Sequence, residues 1–252
     1  MAAFPLGPSG YNESVVTIAH MFAARPAGRL LPVLALLLLA ACGSAPEPEP
    51  AGPAPAADPR ATLEPERPRI VALGDSLTAG QGLVQAQAYP ALLQRYLDEA
   101  GYYAEVINAG MSGETTAGAL RRLDWALDGD VRILIVALGG NDGLRGLPLP
   151  QMKANLGAII DGAQSRGIAV LLCGMEAPPN FGPSYTAQFR QVFVELTRQY
   201  EVSLVPFLLD GVAGHPELNQ ADGIHPTAEG MAIVAQTVWQ ALHPMVDIYL
   251  PR

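Results

Sequence analysis

The sequence predicts an α/β fold, a doubly wound three-layer α/β/α sandwich on a parallel sheet, over residues 69–252. Two observations predict it. Five short apolar runs, rich in Val, Ile and Leu on both faces, alternate with longer stretches whose apolar residues recur at helical spacing. Runs of that kind suit strands covered by helices on both sides of a sheet, and the alternation makes successive strands parallel. A third observation concerns position: polar, glycine-containing segments follow several runs, where ligands gather in such sheets.

The elements follow in chain order. The first run, 70–73, leads into Gly74-Asp75-Ser76-Leu77. Pro90 suits a first helical turn, Leu92, Leu93, Tyr96 and Leu97 share one helix face, and Gly101 stops it. The second run, 104–107, is followed by Asn108-Ala109-Gly110-Met111-Ser112-Gly113, then by a helix marked by Ala119, Leu120, Leu123, Ala126 and Leu127. The third run, 133–138, precedes Gly139-Gly140-Asn141-Asp142, and Leu156, Ile159, Ile160 and Ala163 mark the next helix. Runs 169–173 and 202–205 flank a helix carrying Phe189, Phe193, Leu196 and Tyr200. Asp222-Gly223-Ile224-His225 comes before a last helix with Ile233, Val234, Val238 and Leu242. No internal repeat and no second folded domain is expected.

The 252 residues hold one domain plus appendages, and 50% apolar against 15% charged residues supplies a large core. A net charge of −9 argues against a nucleic-acid partner, which calls for a basic stripe. The two cysteines, Cys42 and Cys173, make no spaced pair of zinc ligands. They sit in regions with different jobs, so no disulfide between them is expected.

Residues 1–41 read as an extension plus an export signal. Arg25 and Arg29 precede an apolar run, 30–41, too short to span a bilayer and suited to the core of a signal peptide. Met21 is the more ordinary start for such a signal, which leaves 1–20 as an extension. The run ends Leu39-Ala40-Ala41-Cys42-Gly43-Ser44, which resembles the bacterial lipobox; that resemblance implies cleavage before Cys42 and lipid on its sulfur. Residues 42–68 are Pro-, Ala- and Glu-rich, an extended tether with almost nothing to bury. The expected location is the periplasmic face of a bacterial envelope, lipid-anchored, with Gly43 resembling sorting to the outer membrane; a soluble periplasmic protein is the alternative.

The chemistry resides in the loops. A serine hydroxyl needs a base to become a nucleophile, and His225 can serve Ser76 as that base. Asp222, three residues earlier, can accept the Nδ1 proton, fix the tautomer and stabilise the imidazolium. Each residue has an ordinary alternative, Ser76 as a helix cap, His225 as an exposed loop residue and Asp222 as a turn carboxylate. Gly74 is expected to allow a sharp turn and Gly80 a close approach. Acyl transfer also needs donors aimed at the oxyanion; backbone N–H groups beside Gly110 or Gly113 and the Asn141 amide can supply them, and the residues alone do not choose between the two glycines.

Taken together these segments resemble an SGNH (GDSL) hydrolase, more narrowly the bacterial periplasmic multifunctional esterase/thioesterase/lysophospholipase/arylesterase type. The matching residues are Gly74-Asp75-Ser76-Leu77, Asn108-Ala109, Ser112-Gly113-Glu114-Thr115, 139–146 (GGNDGLRG), Asp222-Gly223-Ile224-His225-Pro226, Tyr89-Pro90-Ala91-Leu92-Leu93 and Pro179-Asn180-Phe181-Gly182, within 69–245. The resemblance implies a 2-1-3-4-5 sheet and Ser76, His225 and Asp222 as the catalytic residues. It also implies an oxyanion hole of the Ser76 and Gly113 N–H groups with Asn141, no metal or organic cofactor, and a mobile loop at 143–148. The lipobox and tether depart from this type.

The expected activity is hydrolysis of a small-molecule ester or thioester by a monomer. Leu83, Leu144, Leu147, Met175, Phe181 and Tyr185 are candidate acyl-binding residues. An acetyl-carbohydrate esterase of the envelope and an inactive tethered binding module are the alternatives.

Overall fold

In the computed structural model, the described residues are 67–250. The export signal, Cys42 and nearly all of the tether lie outside the described residues. Five strands, β1 (Arg69–Gly74), β2 (Glu105–Gly110), β3 (Val131–Ala137), β4 (Ala169–Cys173) and β5 (Ser203–Val205), form one sheet. Its order is β2-β1-β3-β4-β5 and every pairing is parallel.

All five apolar runs are strands. β3 is central, and Ile133, Leu134, Ile135 and Val136 are fully buried. Burial on both faces fails at the edge, where Glu105, Val106 and Ile107 of β2 are half-buried and Asn108 is exposed. β2 also runs three residues further than its apolar pattern, because Asn108, Ala109 and Gly110 continue the ladder opposite Ala72, Leu73 and Gly74. Pairing with β1, which hydropathy does not report, sets that end.

Among the described residues eight α-helices surround the sheet: α1 (Ser76–Ala79), α2 (Tyr89–Glu99), α3 (Thr116–Arg121), α4 (Leu123–Ala126), α5 (Gly140–Leu144), α6 (Leu149–Gln164), α7 (Pro183–Tyr200) and α8 (Ala228–Tyr249). α2 and α8 pack together on one side; α3, α6 and α7 pack together on the other. Leu93 and Leu97 of α2, Phe189 of α7, Ile159 and Ile160 of α6 and Val234 of α8 are fully buried, as their spacing predicts. Each such side chain contributes about 1.5–3 kcal/mol. Cys173 ends β4 with its thiol buried, and burial pushes it up to about 12.

Three helical details differ from the sequence pattern. The segment read as one helix through Ala119 and Leu127 is two, broken at Arg122, whose guanidinium is drawn to Glu114 and to the Ala109 carbonyl (2.7 Å). α1 and α5 lie inside polar motifs, too short to show an apolar period.

Candidate active site

β1 runs straight into α1 through Asp75. Gly74 does not supply the sharp turn expected of it: it keeps strand pairing with Gly110 and Ala137. What it supplies is room, since a Cβ there would lie 1.9 Å from Thr78 Oγ1 and 2.9 Å from the Ala137 carbonyl oxygen. The left-handed residue is Gly80 (φ 76°), which closes α1 and brings the chain against Ala88, 2.7 Å from where its Cβ would be. Asp75, not Ser76, caps α1, its Oδ1 accepting the Leu77 N–H at 3.0 Å. Ser76 is the first helical residue and half-buried.

Before α8, the loop carrying His225 turns back on itself. Gln220 donates its N–H to the His225 carbonyl (2.7 Å), Gly223 (φ 68°) closes a turn on Gln220, and Asn219 bridges Pro226. The Gln220 side chain donates to the Pro226 carbonyl (2.9 Å) and to the Gln81 carbonyl (2.8 Å), tying this loop to the chain just after α1. Across that junction Ser76 Oγ lies 2.9 Å from His225 Nε2, and His225 Nδ1 lies 2.7 Å from Asp222 Oδ2. Asp222 Oδ1 accepts the Ile224 and His225 N–H groups at 2.9 and 3.0 Å. These backbone bonds, with the imidazole bond, hold its carboxyl well below the usual carboxylate range. An ionised Asp222 accepts from Nδ1–H, which leaves Nε2 free to accept from the hydroxyl of Ser76.

The structure separates the two glycines that the sequence left open. The Gly110 N–H is spent on Asn108 Oδ1 (2.9 Å), and a Cβ at Gly110 would lie 2.3 Å from Ala79 N. Gly110 is therefore a packing residue that lets α1 lie against β2. Asn108 completes the contact by donating to the Thr78 carbonyl at 2.9 Å. Gly113 (φ 78°) sits in the next turn, its carbonyl accepting from Arg145 Nη2 at 2.8 Å. Asn141 stands in the first turn of α5 and its Nδ2 donates to Asp75 Oδ2 at 3.1 Å. Burial pushes the Asp75 carboxyl up to about 6, partly offset by the bonds from Leu77 and Asn141 and by the charge of His225.

Glu114 and Asp142 stand within the motifs, and the sequence alone points to no role for either. Asp142 is 2% exposed and accepts the Thr116 N–H (2.9 Å) and Thr116 Oγ1–H (2.7 Å), while Asn155 donates to the same Oγ1 (3.0 Å). Glu114 pairs with Arg122 in a nearly buried ion pair, 5% and 14% exposed at the side chains. These groups lock the loop after β2 to α5 and to the strand ends. The signal for them is the presence of acidic residues directly beside motif glycines.

A cavity of about 440 Å³ opens beside Ser76 and Asn141. Of the candidate acyl-binding residues, Leu144 and Met175 line it. Leu83, Leu147, Phe181 and Tyr185 are absent from its lining. Leu83 is half-buried against the core. Phe181 packs at a tilt against Tyr185 (5.3 Å between centroids), whose hydroxyl donates to the Leu147 carbonyl (3.1 Å), so these three brace one another. Phe207, Leu209, Ala213 and Ile224 take the places they were expected to fill. Phe207, Leu209 and Ala213 follow β5, whose carboxyl end the sheet rule already marked. Among the described residues no group of three or more His, Cys, Asp or Glu could hold a metal ion.

Residues 72–233 match the family described as GDSL-like Lipase/Acylhydrolase. The chain is 40% identical over 178 residues to Esterase TesA of Pseudomonas aeruginosa, covering 70% of this chain and 89% of that protein. It is 36% identical to an Arylesterase of Vibrio mimicus (69% and 88% covered) and 34% identical to Thioesterase 1/protease 1/lysophospholipase L1 of Escherichia coli (71% and 85% covered). Among solved structures, that of TesA superposes with a TM-score of 0.68 at 40% identity, covering 70% of this chain and 99% of that one. AlinE4, an SGNH-hydrolase family esterase, gives 0.60 at 43% identity, with 74% and 98% covered. Sheet order, the serine turn after β1 and these likenesses agree: the chain belongs to the GDSL-like lipase/acylhydrolase family and is a carboxylic ester hydrolase.

Proposed function

We propose that the protein is a serine esterase that cleaves ester and thioester bonds through an acyl-enzyme on Ser76. The observation that carries this reading is the unbroken line of hydrogen bonds from Ser76 Oγ to His225 Nε2 (2.9 Å) and from His225 Nδ1 to Asp222 (2.7 Å), opening on a largely apolar cavity. Ser76 Oγ attacks the carbonyl carbon while His225 Nε2 takes its proton, and Asp222 balances the imidazolium. The oxyanion is received by the Ser76 and Gly113 N–H groups and the Asn141 amide. The imidazolium then protonates the departing alkoxide or thiolate. Water attacks the acyl-enzyme with the same imidazole as base, and the acid leaves.

Leu144, Met175, Phe207, Leu209 and Ile224 receive the acyl group in this reading. The names of the relatives favour aryl esters, acyl thioesters and lysophospholipids as the substrates to try first. Lipid on Cys42 would hold the domain at the periplasmic face of the envelope, with residues 43–68 as spacer. That arrangement rests on the lipobox alone.

Hydrolysis of aryl, thio-, lysophospholipid and acetyl-sugar esters by the wild type and by Ser76→Ala tests the activity. Turnover that survives in Ser76→Ala, at the rate of the wild type, sinks the nucleophile assignment. Mass measurement of the N-terminal peptide from the membrane fraction tests Cys42; an unmodified Cys42 rejects the anchor.

A further inference from the structure

Within the Gly-Asp-Ser-Leu motif, Asp75 is the residue that the reaction above leaves without a part. It is 3% exposed and lines the cavity with Ser76 and Asn141. Its two oxygens have different partners. Oδ1 takes the Leu77 N–H at 3.0 Å, which is helix capping. Oδ2 takes Asn141 Nδ2 at 3.1 Å, and capping requires nothing of the kind. Serine, threonine or asparagine would cap α1 without burying a carboxylate, which is costly. Gly140 leaves space for this contact, since a Cβ there would lie 3.2 Å from Asp75 Oδ2.

The chemistry of an amide gives the contact a purpose. Asparagine offers an acceptor oxygen at one end and an NH2 donor at the other, and a half-turn exchanges them with little change of shape. An oxyanion requires the NH2 end. An ionised carboxylate only accepts, so beside Asp75 the amide must turn its NH2 inward. One N–H goes to Oδ2 and the other is left for the ester oxygen.

We propose that Asp75 is a positioning residue that fixes the Asn141 amide with its NH2 toward the reacting carbonyl. The inference rests on the reading of Asn141 as an oxyanion donor. Asp75→Asn keeps the cap, through its own Oδ1, but turns an NH2 toward Asn141 and so favours the wrong face of that amide.

The test is a double-mutant cycle on the full chain, with kcat and KM for an aryl ester measured in wild type, Asp75→Asn, Asn141→Ala and the double variant. Asn141→Ala is expected to lower kcat about 10²–10³-fold. Asp75→Asn should lower kcat about 10–100-fold with KM within about twofold, and should cost less than about threefold once Asn141 is alanine. Full loss from Asp75→Asn repeated in the Asn141→Ala background overturns the inference and leaves the oxyanion reading intact. Asp75→Asn with kcat within about twofold of wild type also overturns it. A loss below tenfold in Asn141→Ala overturns the oxyanion reading and the inference together. If Asp75→Asn does not fold, Asp75→Ser enters the same cycle: its hydroxyl caps Leu77 and stops short of Asn141.

Discussion

Replacing Asp75 by asparagine should stabilise the folded protein at neutral pH while impairing it as an enzyme. The carboxyl is 3% exposed, and burial moves it from its ordinary 3.8 to about 6. The folded chain therefore holds this proton more tightly than the unfolded chain does. Stability from the group is fully present below about 3.8 and is lost as pH rises through about 6. The gap of about 2.2, at about 1.36 kcal/mol per pKa unit, amounts to about 3 kcal/mol lost by pH 8. Asparagine is neutral throughout and keeps the Leu77 cap, but it exchanges the hydrogen bond from Asn141 for a reversed bond to that amide turned over, a net loss of about 1 kcal/mol. The variant should then be about 2 kcal/mol more stable than wild type at pH 8 and about 0.5 kcal/mol less stable at pH 4. Urea unfolding of both proteins from pH 4 to 8, at one ionic strength, reads the difference directly. A difference that stays flat within about 0.5 kcal/mol across that range would refute the reasoning.

Asp222→Asn should lower kcat by about 10³–10⁴-fold, because an amide can hold the imidazole in the wrong tautomer; activity within tenfold of wild type in an aryl-ester assay removes Asp222 from the proton line. Thr116→Val deletes the hydroxyl donor 2.7 Å from buried Asp142 and should cost about 1–3 kcal/mol in chemical denaturation, with an unchanged midpoint speaking against the lock between the two loops. Native Cys173 should resist iodoacetamide at pH 8 and react only on unfolding, followed by mass spectrometry, since its thiol is buried and pushed up to about 12; rapid native labelling contradicts that placement.

Much of this molecule is legible in its sequence, for a reason that also explains what is not. Strands such as 133–136 and helix faces such as Leu156, Ile159 and Ile160 are written in hydropathy because the sheet and its helices exist by burying them. Ser76, His225 and Asp222 lie where strand ends and motifs point, and the structure brings them within hydrogen-bonding distance. The misread details depend on pairing between distant segments. Gly74 looks like a turn residue until Thr78 is seen against it, and Gly110 looks like a free donor until Asn108 is seen taking its N–H. The break at Arg122 needs Glu114 and the strand ends in place. Phe181 and Tyr185 have the composition of a pocket wall, but they satisfy one another and leave the wall to Phe207 and Leu209. Contacts of that kind carry no periodicity.

The sealed sulfur at the end of β4 has a consequence for where this domain can work. Among the described residues it is the one free cysteine, so this part of the chain requires no oxidant to mature and offers disulfide exchange no open thiol. Its thiol chemistry is thus insulated from the thiol–disulfide poise of its surroundings, whichever side of a membrane it occupies.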